Sequence, residues 1–193
     1  MLIQSLIRFL PSTISLFVVG IIAVSCIGKP DADALYKALK PGEAQFVVRM
    51  DGDDFYKEDS RFKGEVTVRP SSIRLNLFDQ YESNTIITLG GNRLLEKRPV
   101  DQLITLNDQS LNSVMIGRVR DKKERTGDGF ILTEGTVTID HLSDEKIVIR
   151  FAGKTGNFNT MNNRDTWKKL EALLVYRKPT ITVPTGDRQT LFY

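Results

Sequence analysis

The stretch Ser72-Ile73-Arg74-Leu75-Asn76-Leu77-Phe78 alternates apolar and polar residues up to its last leucine. Successive side chains of a β-strand point to opposite faces, so a period of two places the isoleucine and both leucines on one face. The arginine and the asparagine then lie on the other face, toward water. The stretch therefore predicts a β-strand with one buried face and one wet face.

The same alternation recurs through most of the chain. It is present in the segments 45–50, 64–69, 85–89, 103–106, 114–116, 129–140 and 145–152. Such segments at intervals of about ten residues, joined by short connections, predict an all-β domain that is mostly antiparallel. Both a β-sandwich and a small closed barrel fit this pattern.

The two longest strand segments flank His141-Leu142-Ser143-Asp144. This sequence is interpreted as the four-residue loop of a hairpin. Gly135 falls inside the first of the two segments, where an isolated glycine is typical of a β-bulge.

Two short segments have helical patterns instead. Residues 31–40 begin with acidic residues and end with lysines before Pro41-Gly42, which predicts a short helix with Leu35 and Leu39 on its buried side. A second short helix is considered near Trp167, over residues 165–174. In that second segment, residues 173–177 fit a strand equally well.

Composition narrows the class of protein. The chain has 193 residues, with 27 Lys and Arg, 24 Asp and Glu, one His and one Cys. An apolar fraction of 40% with 26% charged residues is ordinary for a globular domain. The small positive net charge of +3 gives no argument for nucleic-acid binding, and none is predicted.

The N-terminal segment has the layout of a secretory signal peptide. A sparse basic start is followed by the apolar run Leu16–Val24 and by small residues. The end of this leader, Ala23-Val24-Ser25-Cys26, resembles the lipobox of bacterial lipoproteins, with alanine where leucine is usual. An uncleaved signal anchor is the alternative reading.

The resemblance implies a domain plan and a location. Residues 1–25 would be the signal peptide, and residues 26–42 would carry the acylated Cys26, a tether and the short helix. Residues 43–193 would form a single β domain. The acyl chains on Cys26, with palmitate among them, would anchor this domain in the cell envelope. Ile27 stands where an aspartate retains some lipoproteins at the inner membrane, which favours the outer membrane.

Absent residue types argue against an enzyme. His141 is the only histidine and Cys26 the only cysteine, so no second cysteine remains for a Cys-His couple and no zinc site of the usual kind can form. No Gly-x-Ser-x-Gly motif is present. No catalytic residue, metal site or cofactor is predicted.

An acidic run and a basic run are the charged features. Residues 51–59 hold five carboxylates, which could serve glycoside hydrolysis or an irregular calcium site but are interpreted as a solvated turn. Residues 118–125 hold five positive residues, which could contact lipid phosphates or an anionic glycan. This basic run is interpreted as a solvated hairpin tip.

The loop 154–167 is the predicted ligand-binding segment, because its length exceeds that of an ordinary hairpin connection. Its amide side chains can hydrogen-bond sugar hydroxyls or peptide groups, and its aromatic rings offer apolar surface. The candidate residues are Asn157, Phe158, Asn159, Asn162 and Trp167. In the alternative reading, the tryptophan fills the core and the asparagines only complete turns.

Together these features predict a lipid-anchored protein of the bacterial cell envelope whose β domain is non-catalytic and acts in binding or scaffolding. Its expected partners are the membrane, through the lipid, and an envelope protein or glycan. One alternative is a carrier that holds a small ligand or lipid in a barrel pocket. A less favoured alternative is a carboxylate-dependent glycan hydrolase. No specific family of the β domain is recognised.

Overall fold

The computed structural model describes residues 30–108, 112–186, 188 and 192. The predicted signal peptide, residues 1–25, and Cys26 lie outside these residues. The described chain contains one α-helix, α1 (Ala32–Ala38), and three short 3-10 helices over Asn92–Leu95, Leu106–Asp108 and Arg164–Thr166. No helix of the described part is long and apolar enough to cross a bilayer.

Eleven β-strands make up most of the described chain. They are β1 (Glu43–Met50), β2 (Asp53–Asp54), β3 (Phe62–Arg69), β4 (Ser72–Asp79), β5 (Asn84–Gly90), β6 (Val100–Thr105), β7 (Ser113–Asp121), β8 (Thr126–Leu142), β9 (Lys146–Asn157), β10 (Lys168–Arg177) and β11 (Thr180–Thr182). The prediction of an all-β domain is confirmed.

The strands form a closed antiparallel barrel of eight strands in the order β3-β4-β5-β7-β8-β9-β10-β1. The ring closes where Ala44 of β1 pairs with Phe62 of β3. Three additional strands extend it: β2 pairs with β1, β6 with β8, and β11 runs parallel to β3. Of the two predicted architectures, the chain therefore adopts the barrel, in which closure satisfies the edges of the sheet.

Apolar side chains fill the interior of the barrel. The strand β4 points Ile73, Leu75 and Leu77 inward, and at most 2% of the surface of each residue is exposed. Around Phe46, the rings of three other aromatic residues lie with their centroids 5.4 to 6.3 Å away. These rings belong to one continuous core cluster. A ligand inside the barrel would have to displace them.

The strands of the long hairpin β8–β9 approach each other closely. A Cβ atom on Gly153 would lie 2.1 Å from the carbonyl oxygen of Glu134, so only glycine fits there. The pairing shifts register between Leu132 and Glu134, next to Gly135 rather than at it. The predicted hairpin loop is shorter than expected, since β8 continues to Leu142 and includes the histidine.

Helix α1 packs on the outer face of the barrel, as a second small cluster. Leu39, at its C-terminal end, is 2% exposed and packs with Val148, Leu173 and Val175 of β9 and β10. A guanidinium nitrogen of Arg177 donates to the Leu39 carbonyl at 2.8 Å. The predicted N-terminal helix is confirmed in position and in its buried side.

The second helix, considered over residues 165–174, does not form. A single 3-10 turn ends at Thr166, and β10 follows directly. Leu170 and Leu174 face the barrel core, whereas Leu173 faces α1. Because both faces of β10 are buried, its apolar residues do not alternate, and their spacing imitates that of a helix.

Candidate binding site at the loop end of the barrel

One end of the barrel gathers the connections with the most polar and aromatic side chains. We call it the loop end; it comprises residues 51–61, 80–83, 122–125 and 158–167. Contacts among these connections and with the adjoining strand ends hold them together. The Lys122 ammonium group contacts the Glu82 carboxylate at 2.8 Å, and the Asp51 carboxylate accepts the backbone N–H of Lys169 at 2.9 Å.

Two aromatic residues close the barrel at the loop end. Phe55 and Tyr56 follow β2 and are 6% and 7% exposed. The Tyr56 hydroxyl group faces the carbonyl oxygens of Asn84 and Gly117 at 3.1 and 3.2 Å. Burial raises the pKa of Tyr56, so the hydroxyl group stays protonated as a donor. The segment after β2 therefore acts as a plug fixed to β5 and β7.

A pocket of about 360 Å³ opens outside this plug. We call it the rim pocket. Its residues come from the plug, the β4–β5 turn and β7, and they are Phe55, Tyr56, Lys57, Ser60, Asp79, Tyr81, Ser83, Arg118, Val119, Arg120 and Lys122. Its volume lies within the range of small-molecule sites.

Arg118 is the best-positioned cation of the rim pocket. Its Nε atom contacts the Asp128 carboxylate at 3.0 Å, and its Nη1 atom donates to the Phe55 carbonyl at 2.9 Å. The guanidinium group lies 4.6 Å from the centroid of the Phe55 ring. Arg120 shares the same carboxylate, with its Nε atom at 3.3 Å. Asp128 thus orients both guanidinium groups.

The opposite wall contains a second set of polar contacts. Asp79, 8% exposed, accepts hydrogen bonds from the Ser60 hydroxyl group and from the backbone N–H groups of Tyr81 and Ser83, at 2.8 to 2.9 Å. The Lys57 ammonium group lies 3.7 Å from the centroid of the Tyr81 ring. This carboxylate therefore holds the turn together, while the lysine and the tyrosine ring face the pocket.

A groove of about 310 Å³ continues from the rim pocket along the outside of β7 and β8. The two pockets share Arg118 and Val119. Gly129 forms part of the floor of this groove. A Cβ atom at this position would lie 2.4 Å from a carbon atom of the Phe158 ring, so the ring leaves no room for a side chain. The groove thus links the basic pocket to the predicted binding loop.

The structure places the five predicted loop residues in different settings. Phe158 lines the groove, with 41% of its surface exposed. Asn157 caps the backbone N–H of Asn159 at 2.9 Å, and Asn162 is exposed. Trp167 is half-buried and donates from Nε1 to a carbonyl oxygen of its own loop at 2.8 Å. It therefore belongs to the loop and not to the barrel core.

Two carboxylates of the acidic run contact different partners. The carboxylate of Asp54 pairs with Arg49, and that of Asp59 accepts the hydroxyl group of Tyr81 at 2.6 Å. Across the described residues, no group of three or more His, Cys, Asp or Glu side chains could hold a metal ion. His141 lies within hydrogen-bonding distance of the Ser143 hydroxyl group, at 3.0 Å, and burial lowers the pKa of the histidine.

Sequence reasoning singled out the basic run but assigned it to a solvated tip. Arg118 instead belongs to β7, where it follows Val114 and Ile116 at a period of two. That spacing was the available signal that this arginine points toward the barrel end. No sequence pattern predicted that Lys57 and Tyr81 lie across the pocket from Arg118, because only the closed fold brings these residues close.

Comparisons with protein-family models, with curated protein sequences and with solved structures find no match to this chain.

Proposed function

We propose that this chain is a lipid-anchored binding protein of the bacterial cell envelope, in which a non-catalytic β-barrel presents its loop end to an envelope protein or glycan. The observation that carries the binding role is the loop end itself. There the rim pocket and the adjoining groove share Arg118 and open to solvent, while the barrel interior is filled by side chains.

The anchoring part of the proposal rests on the leader. Its apolar run ends at the only cysteine of the chain, in a sequence that resembles a lipobox. The described chain begins at Pro30, four residues after Cys26, and enters α1 on the outer face of the barrel. A lipid on Cys26 would hold the domain within about 14 Å of extended chain from the membrane surface.

A crosslinking experiment in producing bacteria tests both parts. A photoreactive benzoylphenylalanine replaces Phe158 in one full-length variant and Leu103 in another. Both side chains are exposed, by 41% and 70%, but Leu103 lies on β6 and lines neither pocket of the loop end. After irradiation, the membranes are extracted with mild detergent and the intact masses are measured.

We expect the uncrosslinked chain to lack residues 1–25 and to carry acyl chains, and adducts with an envelope protein or glycan to form from position 158 but not from position 103. An unprocessed, unacylated mass would contradict the lipid anchor. Equal adducts from both positions would contradict binding at the loop end. A bound small molecule that survives in every variant would favour the carrier alternative.

A further inference from the structure

The rim pocket concentrates positive charge on its walls. Lys57, Arg118, Arg120 and Lys122 line it from two separate segments of the chain. The one carboxylate among its lining residues, Asp79, already accepts three hydrogen bonds from its own turn. The lining therefore favours a ligand that carries negative charge.

Both arginines are oriented before any ligand arrives. Asp128 contacts the Nε atoms of Arg118 and Arg120 from outside the pocket, and the first guanidinium group is also fixed against Phe55. Within the described part of the chain, no protein acceptor bonds the terminal nitrogens of Arg120. A guanidinium group with free terminal donors binds carboxylates and phosphates in a fixed geometry, and prior orientation reduces the entropy lost on binding.

The remaining cations can reach the same ligand at small cost. The pair between Lys122 and Glu82 is exposed on both sides, with 59% and 69% of the side chains accessible. Exposed pairs of this kind contribute little to stability, so an anionic ligand can compete for the ammonium group. The Lys57 ammonium group lies 3.7 Å from the centroid of the Tyr81 ring.

The pocket also offers one accessible aromatic ring between its charges. Tyr81 is half-buried on the wall opposite the arginines, with the Lys57 ammonium group 3.7 Å from its ring centroid, whereas Phe55 and Tyr56 are only 6% and 7% exposed. An aromatic ring beside a few oriented polar groups suits a ring-shaped ligand with an apolar C–H face and polar edges. A sugar ring that bears a carboxylate or phosphate combines these features.

We infer that the rim pocket binds an anionic saccharide, with Arg118, Arg120 and Lys122 contacting the acidic group and the Tyr81 ring contacting the sugar. This inference rests on the proposed binding function and names its ligand class. The residues at the open side of the pocket, Arg120 and Lys122, are the ones to change, because Arg118 also holds the plug.

The test is an NMR titration of the isotope-labelled chain, extracted from the membranes of producing bacteria, in detergent micelles. The probes are α-1,4-digalacturonate and α-1,4-galactobiose, which differ only in the carboxylates, together with inorganic phosphate. We expect digalacturonate to bind about tenfold or more tightly than either of the other two, since charge-assisted hydrogen bonds contribute at that level. Its binding should weaken at 0.5 M salt, where charges are screened over about 4 Å.

The double variant Arg120→Gln/Lys122→Gln should bind digalacturonate about tenfold more weakly. The matched control, Lys123→Gln, removes one positive charge at the same hairpin tip but outside the pocket, and its affinity should change less than about twofold. An unchanged amide spectrum of the free variants shows that they remain folded.

Equal binding of galactobiose or of phosphate, or equal affinity of the double variant and the parent, would overturn the inference. Failure of the proposed function is a separate result. If the membrane-extracted chain is acylated and crosslinks from position 158 but digalacturonate does not bind, only the ligand class is wrong. If the chain is not acylated, the anchor is wrong whatever the titration shows.

Discussion

At the residue scale, the Tyr56 hydroxyl group shows how the plug is fixed. It donates to two strand carbonyls, those of Asn84 and Gly117, at 3.1 and 3.2 Å. In Tyr56→Phe the ring still fills its site, but both carbonyl oxygens lose this partner. We expect the free energy of unfolding to fall by about 1–2 kcal/mol, the usual cost of removing a buried hydrogen-bond partner. Urea denaturation of the parent and the variant at pH 7 measures it.

The matched control for this substitution is Tyr36→Phe. The Tyr36 hydroxyl group lies 3.5 Å from the Glu145 carbonyl at the surface, where water can replace it. Its loss should change the free energy of unfolding by less than about 0.5 kcal/mol. Equal effects of the two substitutions would mean that the hydroxyl group of Tyr56 does not hold the plug.

Single residues of the site were predictable only where a strand pattern contains them. Arg118 continues the period of two set by Val114 and Ile116, so its direction follows from the sequence. Its contact with Phe55 does not follow, because the plug crosses to it from a segment 63 residues earlier. Sequence patterns record which face a side chain takes, whereas the neighbours on that face depend on the tertiary fold.

At the scale of elements, the hairpin β8–β9 depends on a close approach of its strands. Gly135 and Gly153 pair directly across it, and a Cβ atom on either would lie within 2.2 Å of a carbonyl oxygen of the other strand. Gly153→Ala should therefore force the strands apart and lower the free energy of unfolding by about 2 kcal/mol or more. Thermal or urea denaturation followed by circular dichroism measures the loss.

Lys154→Ala is the control on the neighbouring position of β9. Its ammonium group pairs with Glu134 at 2.9 Å, but 57% and 42% of the two side chains are exposed. Such a pair is worth about 1 kcal/mol at most, so the control should lose clearly less stability than the glycine variant. A harmless Gly153→Ala would show that the strands can separate without cost.

The fate of β10 explains where element prediction from sequence stops. In β4 one face is buried and the other wet, so alternation identified the strand and its inward residues. In β10 the outer face is also covered, by α1, and Leu173 and Val175 are as buried as the inward leucines. A pattern that depends on contrast between faces disappears when a distant element covers the second face.

At the scale of the whole molecule, closure decides between a sandwich and a barrel. Closure depends on one pairing, between Ala44 of β1 and Phe62 of β3. This pairing is possible because the plug carries the chain from the end of β1 back to the start of β1, where β3 begins. Both architectures bury the same alternating faces, so the alternation of each strand is identical in the two. The order of strands around the core is therefore not encoded in the local pattern that predicted them.

The closed, filled barrel also makes stability depend on pH in the alkaline range. Burial raises the pKa of Tyr56 and of Tyr176, whereas tyrosines of an unfolded chain titrate near pH 10. Above pH 10 the unfolded chain releases protons that the folded chain keeps, so unfolding becomes more favourable as the pH rises. Below pH 10 both states hold these protons and the effect is absent.

We therefore expect the free energy of unfolding to fall between pH 9 and pH 11, with Tyr56 contributing about 1 kcal/mol to the loss. Tyr56→Phe should lose about 1 kcal/mol less over this interval than the parent, because its ring has no proton to release. Leu39→Ala, which is destabilised through the α1 cluster without a change in titratable groups, should lose as much as the parent. Urea denaturation at the two pH values measures all three chains. Equal losses of unfolding free energy in the parent and in Tyr56→Phe would show that the plug opens to water before the barrel unfolds. A Tyr56 side chain exposed to water in the folded state would release its proton at the same pH as in the unfolded state.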